Sequence, residues 1–265
     1  MVSCSVKSQR QPLPRLLTAR WGLLRSILIY YGIPWRYGQL KRFYSQFVGP
    51  GDLCFDVGAH VGNRLRAWAA LGAQVVGLEP QPDCMALLRR WYGRNPQIIL
   101  LEQAVGAQRG SLPLMISRGH PTVSTLSQQW TEDVRQAQSF AAVRWDDAIE
   151  VPVTTLDALI EQYGCPAFCK IDVEGYELEV LRGLSQPLPA LSIEYVPVTM
   201  GVALNCIQRL EQLGGYEYNW SPGERHRLQS PQWLGPAALA DQLSAVPPDG
   251  DSGDFYARLR RYSND

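Results

Sequence analysis

Residues 51–63 read GDLCFDVGAHVGN. The apolar run around Phe55 is typical of a short buried strand, and Gly58 and Gly62 follow it directly. Glycine permits a tight turn and lets the backbone come close to a bound molecule. In a parallel sheet, ligands bind where the first strand turns into the first helix. The stretch therefore predicts a ligand-binding loop at the carboxyl edge of such a sheet.

Strand and helix patterns alternate downstream of this loop. The predicted strands are LCFDV, QVVGLEP, QIILLEQAVG, AFCKIDVEG and ALSIEYVP. The predicted helices are NRLRAWAALG, PDCMALLRRWYG, TTLDALIEQYG, YELEVLRGL and ALNCIQRLEQLGG, with Thr154 or Thr155 as an N-cap of the third. This alternation indicates an α/β fold whose parallel strands are joined by right-handed crossovers. YEYNW and DFYARL are predicted to form a closing pair of strands.

Changes in composition divide the chain. Residues 1–47 are predicted to form an N-terminal helical extension, and residues 48–265 the main domain. Within that domain, residues 117–150 are polar and irregular, which indicates a long lid-like loop. Residues 221–253, rich in Pro and Gly, are interpreted as an insertion between the last two strands.

Overall composition excludes some classes of protein. Lys plus Arg and Asp plus Glu both number 25, so there is no general basic excess of the kind that nucleic-acid binders usually show, although local basic patches are possible. The six cysteines match no zinc or disulfide spacing. We interpret them as structural thiols in a reducing compartment, and we expect a cytoplasmic protein.

The N-terminal segment LLRSILIYYGIPW is apolar but shorter than the roughly 20 residues that span a bilayer. It is predicted to be a helix that ends at Gly32 and Pro34. Arginines interrupt the apolar residues before it, so no secretory signal is expected. Two interpretations stay open, packing on the main domain or peripheral contact of residues 21–42 with a membrane.

The glycine loop restricts the identity of the ligand. It lacks the middle glycine of a dinucleotide fingerprint, since His60 stands there. A carboxylate at Asp56 would repel a pyrophosphate but attract a sulfonium or ammonium group. Glu79 ends the second strand about 20 residues after Gly58, where an acid accepts hydrogen bonds from ribose hydroxyls. S-adenosylmethionine has this combination of groups, although a turn cap at Asp56 and an exposed strand end at Glu79 remain alternatives.

The chain resembles FkbM-type S-adenosylmethionine-dependent methyltransferases between about residues 48 and 195. The matching segments, in order, are FDVGAHVGN, VVGLEPQP, LEQAVGAQRGSLPL, VTTLDALI and KIDVEGYELEVLRG. The resemblance implies a Rossmann-like, seven-stranded methyltransferase sheet, mostly parallel with one antiparallel strand. It also implies O-methylation of a hydroxyl on a sugar, glycan or natural product.

The same resemblance implies a set of cofactor contacts. They are Asp56, Gly58, Gly62 and Glu79, with Gln103 and Ala104 near the adenine. His60 and Asn63 are expected to line or cap the loop beside the cofactor. The fourth strand of this fold lies beside the reactive end of the cofactor, so we expect Asp172 near the transferred methyl group.

The acidic motif KIDVEGYE supplies candidates for catalysis. Lys170 and Asp172 are two residues apart on a strand and therefore face the same side. The candidates for a general base are Asp172, Glu174 and, in the lid-like loop, His120. Lys170, Glu177 and Glu194 are candidate acceptor contacts. Glu174 and Glu177 are equally typical of a helix N-terminus, where the dipole favours acids.

Two further features limit the chemistry. Family members often carry a histidine where this chain has Tyr195, so a histidine base is not expected at that place. No metal is expected either, because His and Cys clusters with ligand spacing are absent from the sequence. Binding of a hard cation by the DVE segment remains an alternative.

Three competing functions are weighed against a sugar, glycan or natural-product O-methyltransferase. An RNA or DNA methyltransferase is disfavoured because KIDVEG stands where an Asn/Asp-Pro-Pro-aromatic motif would lie. A non-catalytic protein that binds S-adenosylmethionine is disfavoured by the intact Asp56, Glu79 and Asp172. A NAD-dependent dehydrogenase is disfavoured by the missing central glycine.

Overall fold

A computed structural model of the chain describes residues 15–135, 137 and 140–260, with side chains of the first helix from Trp21 onward. The start of the predicted N-terminal extension, residues 1–14, lies outside the described residues. Nine α-helices are present in the described part. They are α1 (Arg15–Tyr31), α2 (Pro34–Tyr44), α3 (Asn63–Ala69), α4 (Pro82–Tyr92), α5 (Gln128–Val134), α6 (Leu156–Tyr163), α7 (Glu177–Arg182), α8 (Met200–Leu213) and α9 (Pro236–Ser244).

The described strands form two sheets. They are β1 (Leu53–Val57), β2 (Gln74–Leu78), β3 (Ile98–Leu101), β4 (Ala104–Val105), β5 (Gly110–Ile116), β6 (Asp147–Thr154), β7 (Phe168–Ile171), β8 (Ala190–Tyr195), β9 (Tyr216–Pro222) and β10 (Gly253–Leu259). The main sheet has seven strands in the order β3-β2-β1-β7-β8-β10-β9. Strand β10 runs antiparallel to both its neighbours, whereas the other pairs are parallel. The predicted sheet, mostly parallel with one antiparallel strand, is confirmed.

A hydrophobic cluster packs on each face of the main sheet. Phe55 and Val57 of β1 join a cluster that includes residues of α6 to α9. Cys54, on the opposite face of the same strand, joins a cluster with residues of α2, α3 and α4. Because successive side chains of a strand point to opposite faces, Asp56 lies on the Cys54 side. This alternation places an acid inside the second cluster.

Two described helices precede the sheet, and the break between them lies where the sequence predicted the first helix to end. Helix α1 ends at Tyr31, and α2 begins at Pro34, where a missing N–H costs no intrahelical bond. No helix in the described part of the chain is long and apolar enough to cross a bilayer. The five described cysteines are free thiols, and four of them are buried.

The small sheet differs from the sequence-based expectation. Strands β4, β6 and β5 form a three-stranded sheet, in that order. The segment 117–150, expected to be irregular, contains α5 and the start of β6. Ile149, Val151 and Val153 alternate along β6, and the two valines are buried with Leu114. This period of two is the signal that could have identified the strand.

The segment 221–253 is likewise more regular than an irregular insertion. Strand β9 continues to Pro222, and α9 follows at Pro236–Ser244. Leu239 and Leu243 of α9 are fully buried in the cluster that also contains the α8 side chains. These two leucines, four residues apart on a helix, anchor the segment to the sheet.

Candidate active site

The glycine loop joins β1 to α3 at the carboxyl edge of the sheet. Gly58 and Gly62 both have left-handed backbone conformations, with φ of +87° and +78°. A Cβ atom at Gly58 would lie 1.9 Å from the carbonyl oxygen of Asp172. At Gly62 it would lie 2.7 Å from side-chain atoms of Leu88 and Tyr92. Both glycines therefore make room for the protein's own packing, Gly58 against the end of β7 and Gly62 against side chains of α4.

Glu79 fixes the geometry of this loop. Its Oε2 accepts a hydrogen bond from the His60 N–H at 2.8 Å, and its Oε1 accepts one from the Gln81 N–H at 2.8 Å. The side chain is buried, so the alternative of an exposed strand end is wrong. Burial raises the pKa of Glu79 to about 7, despite the two backbone donors. His60 itself has φ of +48°, and burial lowers its pKa to about 4.

A cavity of about 260 Å³ opens beside this loop. Its walls come from the carboxyl ends of β1, β2, β7 and β8, as expected for a parallel sheet. The predicted site residues that line it are Gly58, His60, Asn63, Glu79, Gln103, Ala104, Asp172, Glu174 and Glu194. The structure thus brings together residues that lie as far apart in the sequence as Gly58 and Glu194.

Five predicted site residues do not line this cavity, namely Asp56, Gly62, His120, Lys170 and Glu177. Glu177 instead accepts hydrogen bonds from the N–H groups of Val173 and Gly175, each at 3.1 Å. It therefore closes the turn before α7, which favours the helix-terminus interpretation over acceptor contact. His120 does not line the cavity. Its partial burial, followed by the charge on Arg25, lowers its pKa.

Asp56 lies behind the cavity wall. Its side chain is fully buried, and neither carboxylate oxygen has a hydrogen-bond partner among the described residues. A turn cap at this position is therefore not what the structure shows. Burial raises the pKa of Asp56 to about 7, while Arg64 and Lys170 act in the opposite direction. A buried carboxyl group without a hydrogen-bond partner is costly, and Asp56 does not line the cavity.

Asp172 is the centre of a charge network. Its Oδ2 lies 3.4 Å from Lys170 Nζ, in agreement with their prediction on one side of the strand, and 3.3 Å from Arg64 Nη2. Lys170, fully buried, also contacts Asp254 Oδ1 at 2.5 Å. Although burial acts in the opposite direction, Lys170 and Arg64 lower the pKa of Asp172 to about 2. Asp172 is therefore held ionised.

Three carboxylates converge at one wall of the cavity. One oxygen each from Asp172, Glu174 and Glu194 lies within 4.8 Å of the others. Burial, followed by the charge on Asp172, raises the pKa of Glu174 and of Glu194. Oε2 of Glu194 is buried without a hydrogen-bond partner among the described residues. The cluster has the oxygen ligands of a hard-cation site, and the expectation that no metal is required stays a prediction.

Four titratable residues of the cavity wall escaped the sequence analysis. They are Tyr30, Arg64, Glu224 and Asp254. Arg64 stands at the second position of the helix after the glycine loop, so its position was a usable signal. Tyr30 and Glu224 come from the N-terminal helix and from the turn after β9, and no local motif marks them.

A second cavity of about 270 Å³ adjoins the first. Both are lined by Tyr30, Asn63 and Glu224. The other walls of the second cavity come mainly from α1, α2 and α3, and they are Tyr31, Ile33, Pro34, Arg36, Tyr37, Leu40, Arg66 and His226. A molecule in this cavity would therefore touch the wall that both cavities share.

The second cavity carries two arginines and a contact between a glutamate and a histidine. The Arg66 guanidinium lies over the Tyr37 ring, 4.1 Å from its centroid. Arg36 donates one hydrogen bond to the Ile29 carbonyl at 2.9 Å and retains other N–H groups. Glu224 Oε2 lies 3.1 Å from His226 Nε2. Burial opposes ionisation of Glu224, but His226 and Arg64 lower its pKa to about 2.

The sheet order, the reversed strand β10 and the cavity at the glycine loop agree with the methyltransferase fold that the resemblance implied. Residues 56–201 match the Methyltransferase FkbM domain, and the chain belongs to this family. S-adenosylmethionine is accordingly its cofactor. The predicted resemblance to this family is confirmed, and the matched range contains four of the five segments whole and the first from Asp56 onward.

One curated relative is the hexuronic acid methyltransferase AglP of Haloferax volcanii, 25% identical over 158 residues. The match covers 57% of this chain and 57% of that protein, so the chain spans little more than half of the relative's length. Similar solved structures include an O-methyltransferase from Bacillus cereus in complex with SAH, with a TM-score of 0.44, 12% identity and coverage of 93% of this chain and 90% of that chain. Another is Aeropyrum pernix fibrillarin with bound S-adenosyl-L-methionine, with a TM-score of 0.40, 13% identity and coverage of 80% and 68%.

Proposed function

We propose that the protein methylates a hydroxyl group of a carboxylate-bearing sugar, as a free sugar or as part of a glycan. The observation that carries the proposal is the second cavity, which adjoins the first and is lined by tyrosines and arginines. Tyrosine offers an apolar ring face together with a hydroxyl, a combination that suits the apolar and hydroxylated surfaces of a sugar. The distant relative acts, by its name, on a hexuronic acid.

The two arginines favour an anionic acceptor. Arg36 and Arg66 both line the second cavity, while its acid, Glu224, is already paired with His226. Guanidinium groups form paired, charge-assisted hydrogen bonds with carboxylates. A uronic-acid carboxylate held there would leave sugar hydroxyls near the shared wall of Tyr30 and Asn63.

The first cavity is proposed to hold the cofactor. Glu79 would accept hydrogen bonds from the ribose through lone pairs that His60 and Gln81 leave free. Gly58, His60 and Asn63 would lie along the bound molecule, and Gln103 and Ala104 would lie near its adenine. When bound, S-adenosylmethionine supplies a methyl group on a sulfonium, which is a good leaving group.

The acidic wall is proposed to handle the hydroxyl proton. Asp172, with its low pKa and two cationic partners, is a weak proton acceptor and serves as a fixed negative charge. Glu194 has a raised pKa and an oxygen without a hydrogen-bond partner among the described residues. Glu194 also lines the first cavity, where one of its oxygens lies within 4.8 Å of an oxygen of Asp172 and of Glu174. We therefore assign proton acceptance to Glu194, with Glu174 beside it, rather than to Asp172 or His120.

The test uses S-adenosylmethionine labelled in its methyl group. Glucuronosides and galacturonosides are compared with neutral glucosides as acceptors, and the labelled product is treated with mild alkali. We expect label on the uronosides that survives alkali, because a methyl ether is stable whereas a methyl ester is hydrolysed. Alkali-labile label would show methylation of the carboxylate instead of a hydroxyl. Label on RNA and on no sugar would overturn the acceptor class.

A pair of variants tests the second cavity. Arg66→Gln should raise KM for the acidic acceptor by about 10-fold or more, as expected for the loss of a charge-assisted hydrogen bond, with KM for S-adenosylmethionine unchanged. The matched control is Arg258→Gln, because Arg258 also lies 4.1 Å from an aromatic centroid, that of Trp233, but outside both cavities. Equal effects of the two variants would remove Arg66 from the acceptor site.

A further inference from the structure

The first helix exposes its largest apolar side chains. Trp21, Leu24 and Leu28 are 65%, 44% and 62% exposed, and their spacing places them on one side of α1. Ile29 borders them and is 40% exposed, and Trp35 at the start of α2 is 68% exposed. We call these five residues the apolar face. Exposed apolar side chains grouped in this way mark an interaction surface.

The opposite side of α1 is docked on the folded domain. A Cβ atom at Gly22 would lie 2.5 Å from the carbonyl oxygen of Arg118, so the helix backbone lies directly against that segment. Ser26, on the same side, is 2% exposed. Tyr31 donates a hydrogen bond to the Val61 carbonyl at 2.9 Å. The domain thus holds α1 with its polar serine inward and its apolar face outward.

The charged residues of the N-terminal segment all have the same sign. Residues 1–51 contain eight basic residues and no acidic residue, although the whole chain has zero net charge. Within the described helices, Arg25 and Arg42 are exposed, and Arg36 and Lys41 are partly exposed. Tryptophan is enriched where proteins meet the lipid headgroups, and basic residues are attracted to anionic lipids.

These observations favour a lipid surface over a protein as the binding partner of the apolar face. The exposed apolar side chains lie on α1 and α2, and the charged residues of these two helices are all basic. An extended anionic plane complements such a surface, whereas a protein partner would ordinarily present both signs of charge. We propose that the apolar face binds the surface of an anionic lipid bilayer, with α1 lying in the headgroup region. This proposal does not depend on the identity of the methyl acceptor.

The test is flotation of the full-length protein with vesicles. Phosphatidylcholine vesicles are compared with vesicles that also contain phosphatidylglycerol, at low and at high salt. The protein should float with the anionic vesicles and should dissociate as salt screens the attraction. Arg25→Gln combined with Arg42→Gln should weaken binding to anionic vesicles by about 30-fold, from the usual contribution of a basic residue near an anionic surface.

Replacement of apolar side chains by serine distinguishes specific binding by this face from nonspecific adsorption to vesicles. Trp21→Ser combined with Leu28→Ser should abolish flotation, because both side chains would otherwise enter the headgroup region. Ile99→Ser is the matched control, since Ile99 is exposed on the edge strand β3, away from the helices. Binding of SAH by calorimetry should be unchanged in all these variants, because their side chains lie outside the cofactor cavity.

Three outcomes would overturn the proposal. The first is the absence of flotation with anionic vesicles, and the second is flotation that the Trp21/Leu28 variant retains. The third is a dimer by light scattering that the Trp21/Leu28 variant dissociates, without vesicle binding by the wild type. That result would assign the apolar face to a contact between copies of this chain. Each of them leaves the proposed sugar methylation untouched, because acceptor turnover is measured without vesicles.

Discussion

Asp56 combines complete burial with the absence of hydrogen-bond partners among the described residues. Its pKa is raised from 3.8 to about 7, so the folded protein holds this proton after the unfolded chain has lost it. When folding raises the pKa of an acid, the free energy of unfolding falls as pH rises from the unfolded to the folded pKa, and then levels off. Asp56 therefore destabilises the unliganded protein at neutral pH.

Asp56→Asn should remove this pH dependence. The variant's melting temperature should exceed that of the wild type by roughly 10 °C at pH 8, since a pKa shift of this size corresponds to about 4 kcal/mol and each kcal/mol raises the melting temperature by about 2–4 °C. The gain should be small near pH 4. Differential scanning calorimetry across this range checks it, and a gain that does not vary with pH would show that packing, not ionisation, is responsible.

The ionisation of Asp172 changes stability with pH in the opposite direction. Its pKa lies below the unfolded value, so its contribution is complete above about pH 4 and is lost as pH falls toward 2. Asp172→Asn leaves buried Arg64 and Lys170 without this carboxylate. Removing one partner of a buried ion pair costs about 3–5 kcal/mol. We expect a lower midpoint in urea at pH 7, together with reduced turnover.

A double-mutant cycle checks the origin of that loss. Arg64→Gln combined with Asp172→Asn should be more stable than the two single effects predict, because the two charges are removed together. Strict additivity would mean that the 3.3 Å contact between Arg64 and Asp172 contributes little to stability.

At the residue scale, the sequence predicted the parts of the site that lie beside a recognisable loop. Gly58, Glu79 and Asp172 each follow a strand directly, and the parallel sheet brings strand ends together. Tyr30 and Glu224 come from α1 and the turn after β9, and only tertiary packing places them there. The role of the glycines was also missed, since a contact with the Asp172 carbonyl cannot be inferred from spacing.

At the element scale, helix ends provide a direct test. Thr155 is the N-cap of α6, and its hydroxyl accepts a hydrogen bond from the Ala158 N–H at 3.1 Å. The sequence left Thr154 and Thr155 as alternatives, and the structure selects the second. Thr155→Ala should cost about 1 kcal/mol of unfolding free energy. Thr154→Ala, at the end of β6, is the control, and an equal or larger loss there would contradict the cap.

Most strands of the main sheet were predictable because each is a short apolar run in the sequence. The small sheet was not, because β4 has only two residues and β6 begins inside a polar segment. Its register with β5 pairs Val151 with Leu112 and Val153 with Gly110, contacts that link distant parts of the sequence. Short strands stabilised by such long-range pairs carry little local signal.

At the scale of the whole molecule, the boundary predicted at residue 47 separates residues that the structure packs together. Tyr44 of α2 is fully buried, with its ring centroid 5.2 Å from that of Trp68 and 5.5 Å from that of Phe168. Phe43 lies 5.1 Å from Tyr256 of β10 by the same measure. Helix α2 therefore belongs to the hydrophobic core beneath the main sheet, whereas α1 docks on the surface.

This arrangement predicts different outcomes for two truncations. Loss of a buried aromatic side chain costs about 3–5 kcal/mol, and a domain of this kind has a total stability of about 5–15 kcal/mol. Removal of residues 1–47 deletes Leu40, Phe43 and Tyr44 from the core, so the remaining chain should lose its cooperative thermal transition. Removal of residues 1–32 deletes α1 but keeps α2, and this chain should still unfold cooperatively, although with an incomplete second cavity. Scanning calorimetry and circular dichroism distinguish the cases, and a cooperative transition in the chain that starts at residue 48 would establish the predicted extension as dispensable for folding.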